Sequence, residues 1–211
     1  MPVVIVPVGL SMGPSYRYAT PPDPVPEYWE VRLGAESAEL DADEFQVWGR
    51  AFLDPPRHER LEVNRASVLR DTVAAGLGPA NPEPVLERLL DRGLLLEYDT
   101  DGPYEVVFRR VKLFPLAEGM GNTPEEPDRY HIGHNGVSLV KVAPLVSGLW
   151  AVSSLDPSLW HACVGMGEDN QRDLAAGMDL DRVTADDAAA EIAVTLPMLI
   201  AAGCAFLDPA E

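Results

Sequence analysis

The chain matches itself. Around Trp48 it reads YWEVRLGAESAELDADEFQVWGRAFLDP, and around Trp150 it reads YHIGHNGVSLVKVAPLVSGLWAVSSLDP. At one common offset Tyr28 meets Tyr130, Gly34 meets Gly136, Val47 meets Leu149, Trp48 meets Trp150, and Leu53-Asp54-Pro55 meets Leu155-Asp156-Pro157. Further along, Leu86, Leu89, Leu90 and Gly93 meet Leu196, Leu199, Ile200 and Gly203 at an offset about eight residues larger. An ordered set of matches with one insertion is the mark of a duplicated unit. It demands a fold in which two similar halves each bury an apolar face. Trp48 and Trp150 are expected as equivalent core anchors.

Local signals describe one copy. WEVRL and SAEL flank a Gly-containing turn and read as a strand pair. In DADEFQVWGRAF, Phe45, Trp48 and Phe52 share one helical face, and Asp41 with Glu44 three residues later approximates a capping box. NRASVLRDTVAAGL reads as a second helix capped by Asn64 and closed near Gly76. In NPEPVLERLLDRG, Asn81 is the expected cap, Pro82 the first helical residue, Gly93 the stop, and Val85, Leu86, Leu89 and Leu90 the buried stripe. LLLEY, the turn DTDG and EVVFRRVKLF then read as a β-hairpin. The second copy repeats the order, with Thr184 capping a long helix that contains Pro197 and with a single last strand in CAFLDPAE. The apolar VVIVPV near the N-terminus is expected to cover a sheet edge.

Strand pair, three helices, hairpin is the order of a winged helix. The expected class is α+β, with two tandem winged-helix-like domains related by an internal repeat. The expected boundaries are an N-terminal arm at 1–27, a first domain at 28–114, a linker rich in Pro, Gly and Glu at 115–129, and a second domain at 130–211.

Several chemistries lack their residues. His131-Ile132-Gly133-His134 spells the HIGH signature of class I aminoacyl-tRNA synthetases, but it runs into Asn135-Gly136, a strong hairpin turn, and no lysine-rich partner loop follows. Two histidines at i and i+3 of a strand point to opposite faces, which does not suit a shared metal. The phosphate-loop, dinucleotide and nucleophile-elbow motifs are missing. Paired carboxylates fall at helix starts or in the linker. Two cysteines, Cys163 and Cys204, are too few for a disulfide framework. No apolar run approaches the roughly 20 residues of a membrane span. The expectations are therefore no enzyme activity, no cofactor, no metal, no membrane partner and a cytoplasmic location.

Net charge is −18, from 16 basic and 34 acidic residues. Such a surface repels a nucleic-acid duplex, whose binding depends on neutralising phosphates; it serves solubility or, as the alternative, meets a basic protein partner. The first copy does carry Arg88 and Arg92 on its third helix and Arg109, Arg110 and Lys112 on the expected wing, so a DNA-binding regulator is the second reading. The third helix of the second copy, residues 184–202, has neither Lys nor Arg.

Two resemblances sharpen the first reading. In layout, charge and size the chain resembles the tandem winged-helix family of segregation and condensation protein B, which implies a non-catalytic subunit of a larger assembly. The string VRLGAESAELDADEFQVW…VLERLLDRGLL resembles the PqqD-like peptide-recognition modules of RiPP biosynthesis over about 70 residues. That resemblance implies that a peptide adds as a strand to the sheet beside the third helix. The implied surface is Glu30–Leu33 with Val85–Leu89. The partner-contacting candidates are thus Glu30, Arg32, Leu33, Arg88, Arg92, Arg109 and Arg110, in an adaptor that binds a protein or peptide.

Overall fold

The computed structural model describes residues 2–52 and 54–210; the expected match at Leu53 lies outside them. In chain order the elements are β1 (Val3–Pro7), β2 (Leu10–Ser15), β3 (Tyr28–Leu33), β4 (Glu36–Leu40), α1 (Ala42–Arg50), α2 (Pro55–Glu59), α3 (Arg65–Ala75), α4 (Glu83–Asp91), β5 (Leu95–Asp99) and α5 (Tyr104–Phe108). There follow β6 (Val111–Pro115), β7 (Glu118–Gly121), β8 (Tyr130–His134), β9 (Val137–Val142), α6 (Pro144–Val152), a short 3₁₀ turn (Ser153–Leu155), α7 (Leu159–Ala175), α8 (Ala185–Ala201) and β10 (Ala205–Pro209). The class is mixed α+β with small antiparallel sheets.

Strand pairing has the same plan in both halves. β2-β3-β4 and β7-β8-β9 are three-stranded meanders, while β1 pairs with β5 and β6 pairs with β10. The first strand of each half thus closes on its last. β2 and β7 each carry a bulge, between Ser11 and Gly13 and between Gly119 and Gly121. Gly13 and Gly121 both take positive φ there, 96° and 74°, a conformation that glycine adopts without a Cβ penalty. The β8–β9 hairpin turns on Asn135 and Gly136, at φ 51° and 76°, the left-handed pair of a type I′ turn. The HIGH tetrapeptide is therefore the strand leading into that turn.

Helix ends follow their cap chemistry. Asp41 and Glu44, Asn64 and Ser67, and Thr184 and Asp187 each form a reciprocal capping box. α4 and α8 end alike: Gly93 and Gly203 are left-handed, and Leu94 N–H and Cys204 N–H each donate to a carbonyl five residues back, Leu89 and Leu199, at 2.8 Å. Pro197 sits inside a continuous α8 rather than dividing it.

Other expectations are corrected. Pro82 occupies the N-cap of α4 and no side chain caps it, so Asn81 does not. The hairpin expected over residues 94–114 does not form. Tyr104–Phe108 is the helix α5, β5 is taken by β1, and β6 is taken by β10. Phe108 is fully buried between Tyr98 and Tyr104, and that burial overrides the β-branched composition of the segment. Within the stretch read as an arm, residues 3–7 and 10–15 are strands, and within the stretch read as a linker, residues 118–121 pair with β8.

The core has two clusters that meet at β1. Ile5 packs with Val31, Leu40, Trp48, Leu86 and Leu89 of the first half. Val4, Val6 and Val8 point the other way and pack with Leu149, Trp150, Ile192 and Leu196 of the second. The two-residue alternation of a strand makes β1 a wall shared by both clusters.

Candidate functional site

The seven candidate residues fall in different places. Glu30 accepts a hydrogen bond from Ser37 Oγ at 2.6 Å. The Arg32 guanidinium stacks 5.7 Å from the centre of the Phe206 ring, and Leu33 packs against both core clusters. Arg92 donates to Glu44 at 2.9 Å and to the Glu39 carbonyl at 3.1 Å, and Arg88 lies 3.6 Å from the same Glu44 carboxylate. Arg109 pairs with Glu105 one helical turn away. Arg109 and Arg110 lie in the turn after α5, and Lys112 is on β6, so none sits on a wing. Of the set, the structure brings Arg88 and Arg92 together at Glu44, and Arg92 and Arg110 together at a cavity of about 260 Å³ between the halves.

Glu30–Leu33 is also corrected as a peptide-pairing edge. β3 is the central strand of its sheet, paired with β2 on one side and β4 on the other. The open edges beside the third helices are those of β4 and β9.

These two edges differ in chemistry. The β4 edge borders a cleft of about 490 Å³ lined by Glu27, Tyr28, Glu39, Leu40, Asp41 and Glu44. Its Glu39 carbonyl is already held by Arg92 from the end of α4, and Arg92 is fixed in turn by the buried Glu44. Two charge-assisted contacts thus pin the helix to the edge. The β9 edge borders a groove of about 480 Å³ lined by Leu139, Lys141, Val194, Thr195, Met198 and Glu59, among others. Residues 194–198 come from α8 and Glu59 from α2. Leu139 is the extra residue of a bulge, because Ile132 pairs with Val140 and Gly133 with Ser138. A Cβ on Gly133 would lie 1.9 Å from the Val137 carbonyl, so the bulge requires glycine there. Leu139 and Val194 are exposed, so apolar side chains line both walls of an edge that no strand among the described residues pairs with. Lys141 is held by Glu126, which also lies 3.6 Å from His131.

Groups with chemical potential elsewhere are used structurally. Burial, with Asp156 adding to it, pushes the Cys163 thiol up to about 12, and burial pushes Cys204 up to about 11. Neither is a thiolate at neutral pH, which is the nucleophilic form. Ser158 Oγ and His161 Nδ1 are 2.8 Å apart, but Ser158 is buried and caps α7. Among the described residues no group of three or more His, Cys, Asp or Glu is placed to hold a metal ion. No helix among them is long and apolar enough to cross a membrane.

The β9–α8 groove was hidden from sequence reading because its walls lie far apart in the chain and its bulge is set by pairing. The signal that pointed toward it is the third helix of the second half, which has apolar residues where α4 has arginines: in the alignment above, Met198 stands against Arg88 and Ala202 against Arg92. Comparison with protein-family models, with curated proteins and with solved structures finds no match to this chain.

Proposed function

We propose that this protein is a non-catalytic adaptor that binds an extended peptide segment of a partner protein along β9, in the groove against α8. The observation that carries this reading is the contrast between the two edges. The β4 edge is occupied by Arg92, while the β9 edge is unpaired and walled by Leu139, Val194 and Met198. Strand addition draws affinity from main-chain hydrogen bonds and specificity from side-chain pockets beside the edge. The groove therefore favours a segment that alternates, with aliphatic residues facing Leu139 and Met198.

The same reading takes the halves as two copies of one α+β unit, each with three main helices arranged as in a winged helix but without the wing. Its support is the matched strand plan together with the tryptophans. Trp48 Nε1–H donates to the Leu94 carbonyl at 3.0 Å and Trp150 Nε1–H to the Cys204 carbonyl at 2.9 Å. The backbone amides of Val8 and Leu116 share those two carbonyls. The first copy keeps its edge closed with Arg92; the second leaves its edge open.

Selection of displayed peptides on the full chain, followed by calorimetry, tests the function. Alternating aliphatic peptides should emerge. A Val194→Asp or Leu139→Pro substitution should weaken them by at least about tenfold, since proline removes an edge N–H, while Arg110→Ala should leave them unchanged. Peptides indifferent to both β9–α8 substitutions, or selective retention of duplex DNA that Arg110→Ala abolishes, would overturn the reading.

A further inference from the structure

We propose that the outer face of α3 is a twofold self-association surface, with a second copy of this chain as its partner. α3 turns Val68 and Thr72 inward, both almost fully buried. Its other side is also apolar: Val73 is 54% exposed and Leu77, just past the helix, 72%. Leu69 forms a ridge between two cavities of about 410 Å³ each. One lies toward the start of α4, and the other toward Val3 and Ala66. A continuous apolar stripe of this kind on a folded surface marks a contact site.

The second half shows what is missing. There α5 lies against both α7 and α8, with Phe108 buried beneath it. The groove between α3 and the start of α4 has no such cover among the described residues; it is lined by exposed Val73, half-buried Leu69 and buried Pro82.

Charge selects the occupant. Two copies at −18 each repel one another over most of their surfaces. The charged residues lining the two cavities are Arg65, Arg70, Glu83 and Glu97, so this face is balanced. Arg65 is held by Glu87 and Glu97. Among the described residues Arg70, 65% exposed, pairs only with its neighbour Asp71, and Glu83 across the groove has no ion-pair partner. In a twofold contact the same patch meets itself, so residue i of one copy faces residue j of the other and the reverse. Such a contact sets each Arg70 against the other copy's Glu83, with Leu69 and Val73 buried between.

The test is sedimentation of the full chain across a wide concentration range. The wild type should dimerise. Arg70→Glu alone and Glu83→Arg alone should each weaken dimerisation by at least about tenfold, because like charges then oppose one another twice. Mixing the two single variants should restore association as a heterodimer, because each copy then supplies what the other needs. These exposed substitutions should leave the far-ultraviolet circular dichroism unchanged. A wild type that stays monomeric throughout, or a dimer that neither variant weakens and mixing does not rescue, would overturn the proposal. None of these outcomes touches the β9–α8 groove, which the peptide experiment reads separately.

Discussion

At the scale of single residues, the two tryptophans carry the same job in each half. Each indole lies in its core and shares one carbonyl acceptor with a backbone amide, Leu94 with Val8 and Cys204 with Leu116. Replacing either by phenylalanine removes one buried hydrogen bond and a little volume but leaves the carbonyl its backbone donor. Trp48→Phe and Trp150→Phe should therefore each cost about 1–2 kcal/mol in urea unfolding, and by nearly equal amounts. A cost confined to one of them would show that the halves do not use their anchors alike. The anchors were legible because a large aromatic residue repeated at a fixed offset leaves few roles other than packing. What was not legible was the acceptor. A carbonyl just ahead of the last strand becomes the partner only once the chain has folded back on itself.

At the scale of elements, locally coded features read well and partner choice did not. The capping residues Asp41, Asn64 and Thr184 stand where the sequence places them, since a cap is a contact between residues three apart. Removing the α3 cap in Asn64→Ala should cost about 1 kcal/mol. The α8 cap adds a pH signature. Hydrogen bonds from the Thr184 hydroxyl and backbone amide hold the Asp187 carboxyl below its usual range. A carboxyl lowered in the folded state stabilises the fold above its unfolded pKa, and that contribution is lost as pH falls through the lowered value. Urea melts through the acidic range should show a Thr184→Ala variant losing less stability on acidification than the wild type, because it has less to lose. Residues 104–114 went the other way. Their β-branched run suggested one hairpin, yet Val111–Pro115 pairs with Ala205–Pro209, at the far end of the chain. Nothing within a window of that size encodes such a partner. β2 was missed because Gly13 and Pro14 interrupt it and β7 because Gly119 and Gly121 do, although the Met12-Gly13 and Met120-Gly121 pairs at their bulges repeat.

At the scale of the whole molecule, the question is whether two similar halves are also two independent ones. The sequence suggested separate domains joined by a Pro-rich linker. The packing ties them together. β1 gives Ile5 to one cluster and Val4 and Val6 to the other, and Val8 just past the strand joins the second. Tyr98 Oη–H donates to the Ala193 carbonyl at 2.8 Å in a buried site. Gly9 N–H donates to the Leu207 carbonyl at 2.7 Å, and Gly34 N–H to Asp208 at 2.6 Å. A fragment ending at residue 110 would expose Val4, Val6 and Tyr98 to water. A fragment starting at residue 111 would lose the wall that covers Ile192 and Leu196. The full chain should therefore unfold in one transition, with the same midpoint by tryptophan fluorescence and by circular dichroism. Residues 1–110 and 111–211 expressed apart should show no cooperative transition, and mixing them should restore one. Cooperative melting of either fragment by itself would mean that the shared wall contributes little, and that each half is self-sufficient.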